Sequence, residues 1–318
     1  MIIGAMTPLP FLSGALRLAD WGLIRAQGID ATAFLQGQLT QDVTSLPAHQ
    51  ARLAGYCSAK GRLIASFVVW RVGDETIYLA CSADLLASTL KRLSMFVLRA
   101  KCTLTDASAD TLLYGLAGAA AATGLGAAAP AAAWGVAPTG AQAEGRAIRL
   151  PDGQGQPRFL LAQPALAPAP ALPALAPGIW DWLEVGSGVA RIKAATSEQF
   201  VPQMVNWEVV GGVNFQKGCY PGQEVVARSQ YRGTLKRRAM LFHSAGALAA
   251  GQAVFHSADP GQPAGQVVLA APQPGGGYSA LVEIKLAALA TGSLHAGAAD
   301  GPLLQPDALP YDFPADQG

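Results

Sequence analysis

The sequence predicts an α+β protein of more than one domain, on three observations. Two β-rich runs, 62–72 and 75–81, flank a Gly73-Asp74 dipeptide of the hairpin-turn kind. Leu85, Leu86, Leu90, Leu93 and Phe96-Val97 then recur at amphipathic-helix spacing. From about Leu235, short β-like runs at 239–243, 253–256, 266–269 and 280–284 alternate with Gly/Pro turns, the pattern of a small terminal barrel. Antiparallel strands interleaved with helices carry no doubly wound parallel signature.

The remaining elements follow in order. Extended stretches at 16–18 and 23–26 precede a helix starting at Asp30, a suitable N-cap, with Phe34, Leu35, Leu39 and Val43 near helical spacing. After the hairpin and its helix, a strand pair is expected near 102–106 and 112–116, then an Ala-rich helix from Ala117. Alanine dominates 117–133, and Gly124, Gly126 and Pro130 allow only one modest helix and a loop. Pro164, Pro168, Pro170, Pro173 and Pro177 make 163–178 a linker or irregular connection. Ordered structure resumes at Trp180–Val185.

Composition narrows the function classes. A chain of 318 residues that is 51% hydrophobic supports two or three domains with real cores. No apolar run reaches the roughly eighteen residues that cross a bilayer. The opening Met1 to Leu16 lacks a basic region and carries Pro8 and Pro10, so a cytosolic location is the expectation. Net charge is +1 with 14% charged residues, which gives the whole chain no electrostatic claim on nucleic acid. Arg228, Arg232, Lys236, Arg237 and Arg238 are a local exception, read as a solvated basic turn, a contact for an anionic ligand, or a contact for RNA phosphate. Cysteines 57, 81, 102 and 219 are too far apart for a self-sufficient zinc or cluster motif, so no standalone metal site is expected. Cys81 and Cys102 read as small buried hydrophobes, and Cys57 neighbours the turn at Lys60-Gly61.

The most informative run is Lys217-Gly218-Cys219-Tyr220-Pro221-Gly222-Gln223-Glu224. A thiol gains reactivity as thiolate, which a nearby ammonium or helix N-terminus favours. Lys217 offers the first, and a helix opening near Pro221 and running through Arg228 offers the second. Gly218 and Gly222 suit close backbone approach or positive φ. Arg228 is available to pair with an acidic group, and Gln223 and Glu224 serve as ligand partners or as helix-start residues.

This run resembles the signature of YgfZ-type folate-binding proteins, relatives of the glycine-cleavage T-protein and of the mitochondrial iron–sulfur assembly factor. The resemblance extends to Gln199-Phe200-Val201-Pro202-Gln203, Asn206, Gly211-Gly212-Val213, and Tyr231-Arg232-Gly233 with Lys236-Arg237. Near the N-terminus it takes in Asp20-Trp21, Gly28-Ile29-Asp30, the run from Phe34 to Val43 and Cys57-Ser58-Ala59-Lys60-Gly61-Arg62; late in the chain it includes Leu309-Pro310-Tyr311.

The resemblance implies a three-domain ring, two ferredoxin-like α+β domains and a C-terminal β-barrel, around a central folate channel. The implied domains are 1–46 plus 179–234, carrying the Cys219 run; 47–178; and 235–318. It implies tetrahydrofolate or a related reduced folate as ligand, held by Trp21 and Trp180, with Trp182 competing for the second role. An aromatic face offers a flat pteridine offset stacking. It further implies an accessory protein supporting assembly or repair of iron–sulfur clusters in client enzymes, tRNA-modifying ones included, with Cys219 as thiol reagent or transient cluster ligand and Lys217 beside it. Two other classes stay open: a folate-dependent one-carbon (aminomethyl) transferase, and a docking module for tRNA or a client protein. Leu79-Ala80-Cys81-Ser82-Ala83-Asp84 lacks the asparagine of the transferase turn, and its Asp84 comes too early.

Overall fold

A computed structural model describes residues 12–231 and 235–314. The first elements are β1 (Gly14–Arg17), β2 (Trp21–Gln27), α1 (Ala31–Gln36), β3 (Ala51–Cys57), β4 (Leu63–Val72), β5 (Thr76–Ser82), α2 (Ala83–Ser94) and β6 (Thr103–Asp106). Next come β7 (Thr111–Ala117), α3 (Gly118–Leu125), β8 (Val136–Thr139), β9 (Gly145–Gly153), β10 (Gln156–Pro164), α4 (Ile179–Gly186) and α5 (Gln223–Tyr231). The chain closes with β11 (Arg237–Ser244), β12 (Ala253–His256), β13 (Asp259–Pro272), β14 (Tyr278–Lys285), β15 (Leu294–Ala296) and β16 (Leu303–Asp307). These strands form two five-stranded antiparallel sheets, β3-β4-β5-β2-β6 and β1-β7-β10-β9-β8, and a closed barrel β11-β14-β13-β12-β15-β16. The α+β class and the terminal barrel thus stand as expected.

Side-chain alternation decides where the layers meet. Along β4, Phe67 and Val69 enter one core with α1, α2 and the 200–213 segment, whereas Val68 and Trp70 enter a second core. That second core also receives Leu113, Ile148, Leu150, Leu160 and Ala162, so the two sheets face each other across it. The opposite face of β10, through Phe159 and Leu161, packs on α3. Leu63 to Trp70 is therefore buried throughout, as a strand covered on both faces must be.

Several local expectations need correction. The strands near 102–106 and 112–116 are not a pair: β6 joins β2, and β7 joins β1 and β10 in the other sheet. The expected boundary between 46 and 47 cuts through one sheet, because β2 pairs with β5 from Trp21–Ser82 to Gln27–Thr76. The Asp30 side chain does not cap α1; it accepts the Lys101 N–H at 2.7 Å. The helix expected to reach Phe96-Val97 ends at Ser94, leaving Phe96 exposed. The irregular connection expected at 163–178 holds from 165 onward, and it is packed in place, Ala174 bridging to Ala15 of β1 and Leu172 covering α3. Among the described residues no helix is long and apolar enough to cross a membrane.

Candidate functional site

Where the two sheets face each other, the packing leaves a small, partly open cavity of about 40 Å³. Trp21, Ser66 and Val68 line it from the first sheet, Leu150 and Arg158 from the second, and Glu184 and Arg191 from the segment that follows α4's start. Its charged groups are buried. Arg191 makes a forked contact to Glu184, with Nη2 at 2.8 Å and Nε at 3.0 and 3.1 Å, and its Nη2 also reaches Asp20 at 2.7 Å. Burial alone raises the Asp20 carboxyl, but the charge and hydrogen bond of Arg191 outweigh it and hold the group below its usual range. The same guanidinium lies 4.6 Å over the Trp21 ring.

Arg158 is less well provided for. Its residue is 2% exposed, and burial pulls the guanidinium down to about 10, with Glu184 only partly opposing. It lies 4.6 Å over the Trp180 ring. Trp180 itself is 1% exposed and packs on Gly115, so it stands behind Arg158 and off the cavity wall. Trp182 also stays off that wall, donating its indole N–H to Ser279 Oγ at 3.2 Å. Of the two expected tryptophans, then, only Trp21 faces the cavity. Sequence reasoning passed over Arg158, Glu184, Arg191 and Trp134. The usable signal was a lone charge inside an apolar run, as in Phe159 to Ala162 after Arg158 and Leu183-Glu184-Val185.

The cysteine run lies elsewhere, and Cys219 is not among the cavity-lining residues. It is the exposed cysteine; Cys57, Cys81 and Cys102 are buried. Gly222 has φ of 79° and seats against the 58–61 turn, where Gly61 has φ of 70°. Gly218 meets neither expectation, having no positive φ and open space where a Cβ would point. The helix begins at Gln223, two residues after Pro221 and four after the thiol.

Lys217 reaches the end of α1, donating from Nζ to the Leu39 carbonyl at 2.6 Å and to the Gln36 carbonyl. Its ammonium also lies 5.2 Å over the ring of Tyr220, which is buried. Burial lowers Lys217 to about 8, against the opposing charges of Asp42 and Cys219. Arg228 pairs with Glu224 at 3.1 Å across one exposed helical turn.

Long-range bonds knit the resembling segments together. Thr40 Oγ1 donates to the Gly212 carbonyl at 2.6 Å, and Gln41 Nε2 to that of Gly211 at 2.7 Å. Gln203 Nε2 donates to the Val226 carbonyl at 2.8 Å, inside α5. Asn206, with φ of 61°, donates from Nδ2 to the Ala239 carbonyl at 2.7 Å and to Tyr311 Oη at 3.1 Å. Of the basic cluster, Arg237 pairs with Glu283 and Arg238 with Glu208. Arg232 and Gly233 lie outside the described residues.

Comparison with known proteins agrees with this architecture. The family model for the GCVT N-terminal domain matches residues 16–136. The glycine cleavage system aminomethyltransferase T from Bartonella henselae superposes with a TM-score of 0.72 at 18% identity, covering 95% of this chain and 90% of that one. The fold is therefore that of the aminomethyltransferase-T class. The tRNA-modifying protein YgfZ of Edwardsiella ictaluri is 40% identical over 232 residues, 70% of this chain and 68% of the relative. Its counterpart from Vibrio vulnificus strain YJ016 is 33% identical over 252 residues, 77% and 74% respectively. The chain belongs to the YgfZ family.

Proposed function

We propose that this protein binds tetrahydrofolate, or a related reduced folate, in the cavity between the sheets. In this reading it supports assembly or repair of iron–sulfur clusters in cytosolic client enzymes, including tRNA-modifying ones. The observation that carries the ligand assignment is the cavity itself, with its buried guanidiniums and carboxylate and its aromatic wall at Trp21. The donor set fits a flat heterocycle with donors and acceptors on its rim. Trp21 supplies the aromatic surface, Glu184 an acceptor and Arg158 a donor. Orphaned indole and guanidinium N–H groups of Trp21 and Arg158 are what a polar ligand would satisfy.

Cys219 acts outside the cavity, either as a transient ligand of cluster iron or through thiol chemistry, on a segment braced by Lys217 and Gly222. Aminomethyl transfer is the weaker reading, because Asp84 accepts the Ala194 N–H at 2.9 Å and is not on the cavity wall. An RNA-docking role loses Arg237 and Arg238, both engaged in ion pairs.

Anaerobic titration with tetrahydrofolate is expected to quench tryptophan fluorescence and release heat, and Trp21→Leu to weaken both. Absence of both signals at millimolar ligand refutes the ligand assignment. In a deletion strain, Cys219→Ala is expected not to restore cluster-dependent tRNA modification; full rescue refutes the thiol role.

A further inference from the structure

Arg158 is the cavity-lining cation whose hydrogen bonds the walls leave incomplete. Period-2 alternation along β10 sends Arg158, Leu160 and Ala162 to the inter-sheet side, Leu160 and Ala162 into its core. The acidic residue on that wall, Glu184, is already bound by Arg191 through three contacts of 2.8 to 3.1 Å. Among the described residues Arg158 Nε has no hydrogen-bond partner, and Nη1 reaches the Pro151 carbonyl only at 3.5 Å. The guanidinium carbon lies 4.6 Å over the Trp180 ring, a contact that does not satisfy its N–H groups. A buried, incompletely bonded cation is costly, and it is at home where a bound molecule brings the missing acceptor.

The geometry points to Arg158 as the specificity-determining residue that selects a 4-oxo pteridine over its 4-amino counterpart, by donating to the ring's 4-oxo oxygen. This inference rests on the folate reading above. A 4-oxo group presents lone pairs to the guanidinium, whereas a 4-amino group turns N–H donors toward N–H donors and leaves both unpaired. A site built around a hydrogen bond rejects the analogue that cannot make it far more strongly than an apolar wall would.

The test is calorimetry on the full chain with tetrahydrofolate and 4-amino-4-deoxytetrahydrofolate. The wild-type protein is expected to prefer the 4-oxo ligand by about 30-fold, the loss of one charge-assisted hydrogen bond. Arg158→Met is expected to bring the ratio near one and Arg158→Lys to recover part of it, with circular dichroism confirming that both fold. The wild-type ratio stands even if the variants do not fold. Equal binding of the two ligands by the wild-type protein overturns the role of Arg158 and leaves the folate reading intact. Failure to bind either ligand overturns both.

Discussion

Gly222→Ala is the sharpest probe of how the cysteine run is held. Gly222 has φ of 79°, a backbone conformation that costs a residue with a Cβ about 1–2 kcal/mol. A Cβ added there falls 2.3 Å from the Ser58 carbonyl oxygen and 2.6 Å from Gly61 N and Cα. All three are backbone atoms, so no side chain can swing aside, and the overpacking adds about 1–3 kcal/mol. The expected loss is about 2–5 kcal/mol, a large share of the roughly 5–15 kcal/mol that stabilises a typical domain. Gly218→Ala is the matched control. It sits in the same loop with no atom within 4 Å of its Cβ direction, and surface changes of that kind stay within about 0.5 kcal/mol. Urea unfolding of both variants, followed by tryptophan fluorescence, reads the difference directly. A Gly222→Ala midpoint equal to that of Gly218→Ala would refute the claim that two glycines lock the 58–61 turn onto the thiol segment.

Cys219 is expected to take up iodoacetamide at neutral pH well before its siblings, since burial pushes the Cys57 and Cys81 thiols up to about 12 and raises Cys102. Peptide mass spectrometry that finds Cys57 or Cys81 labelled as fast as Cys219 would contradict the assigned burial. Lys217 falls from 10.5 to about 8 on folding, so between those values the unfolded chain binds more protons and the Lys217 contribution to stability rises with pH. Compared across pH 8 to 10.5, wild type is expected to gain stability over Lys217→Met; a difference that stays flat or shrinks would refute the burial of that ammonium.

Local patterns in the sequence were legible where a short stretch decides the outcome. The hairpin of β4 and β5 was readable because the turn at Gly73, with φ of 66°, is specified by two residues. The barrel was readable because its strands recur between Gly/Pro turns. Sheet membership was not, since it depends on pairings such as Gly14 with Ala117, about a third of the chain apart. For the same reason β6 and β7, adjacent in sequence, part company, and β8 to β10 went unassigned although they make most of the second sheet. In the cysteine run, sequence placed Lys217 near the thiol, with which its charge does interact, but gave no sign that its ammonium also bonds the carbonyls of Gln36 and Leu39. The charged cavity groups were invisible for a different reason. Arg158 and Arg191 come from separate elements, and a lone arginine in a strand looks like a solvated one until the facing sheet closes over it.

The central claim is that the space between the two sheets, and not the surface around Cys219, receives the folate. A crystal structure determined after soaking with tetrahydrofolate tests it most directly. The account predicts pteridine density within the wall formed by Trp21, Arg158 and Glu184, with Cys219 outside it. Density against Cys219, or an empty cavity with folate bound elsewhere on the protein, would contradict it.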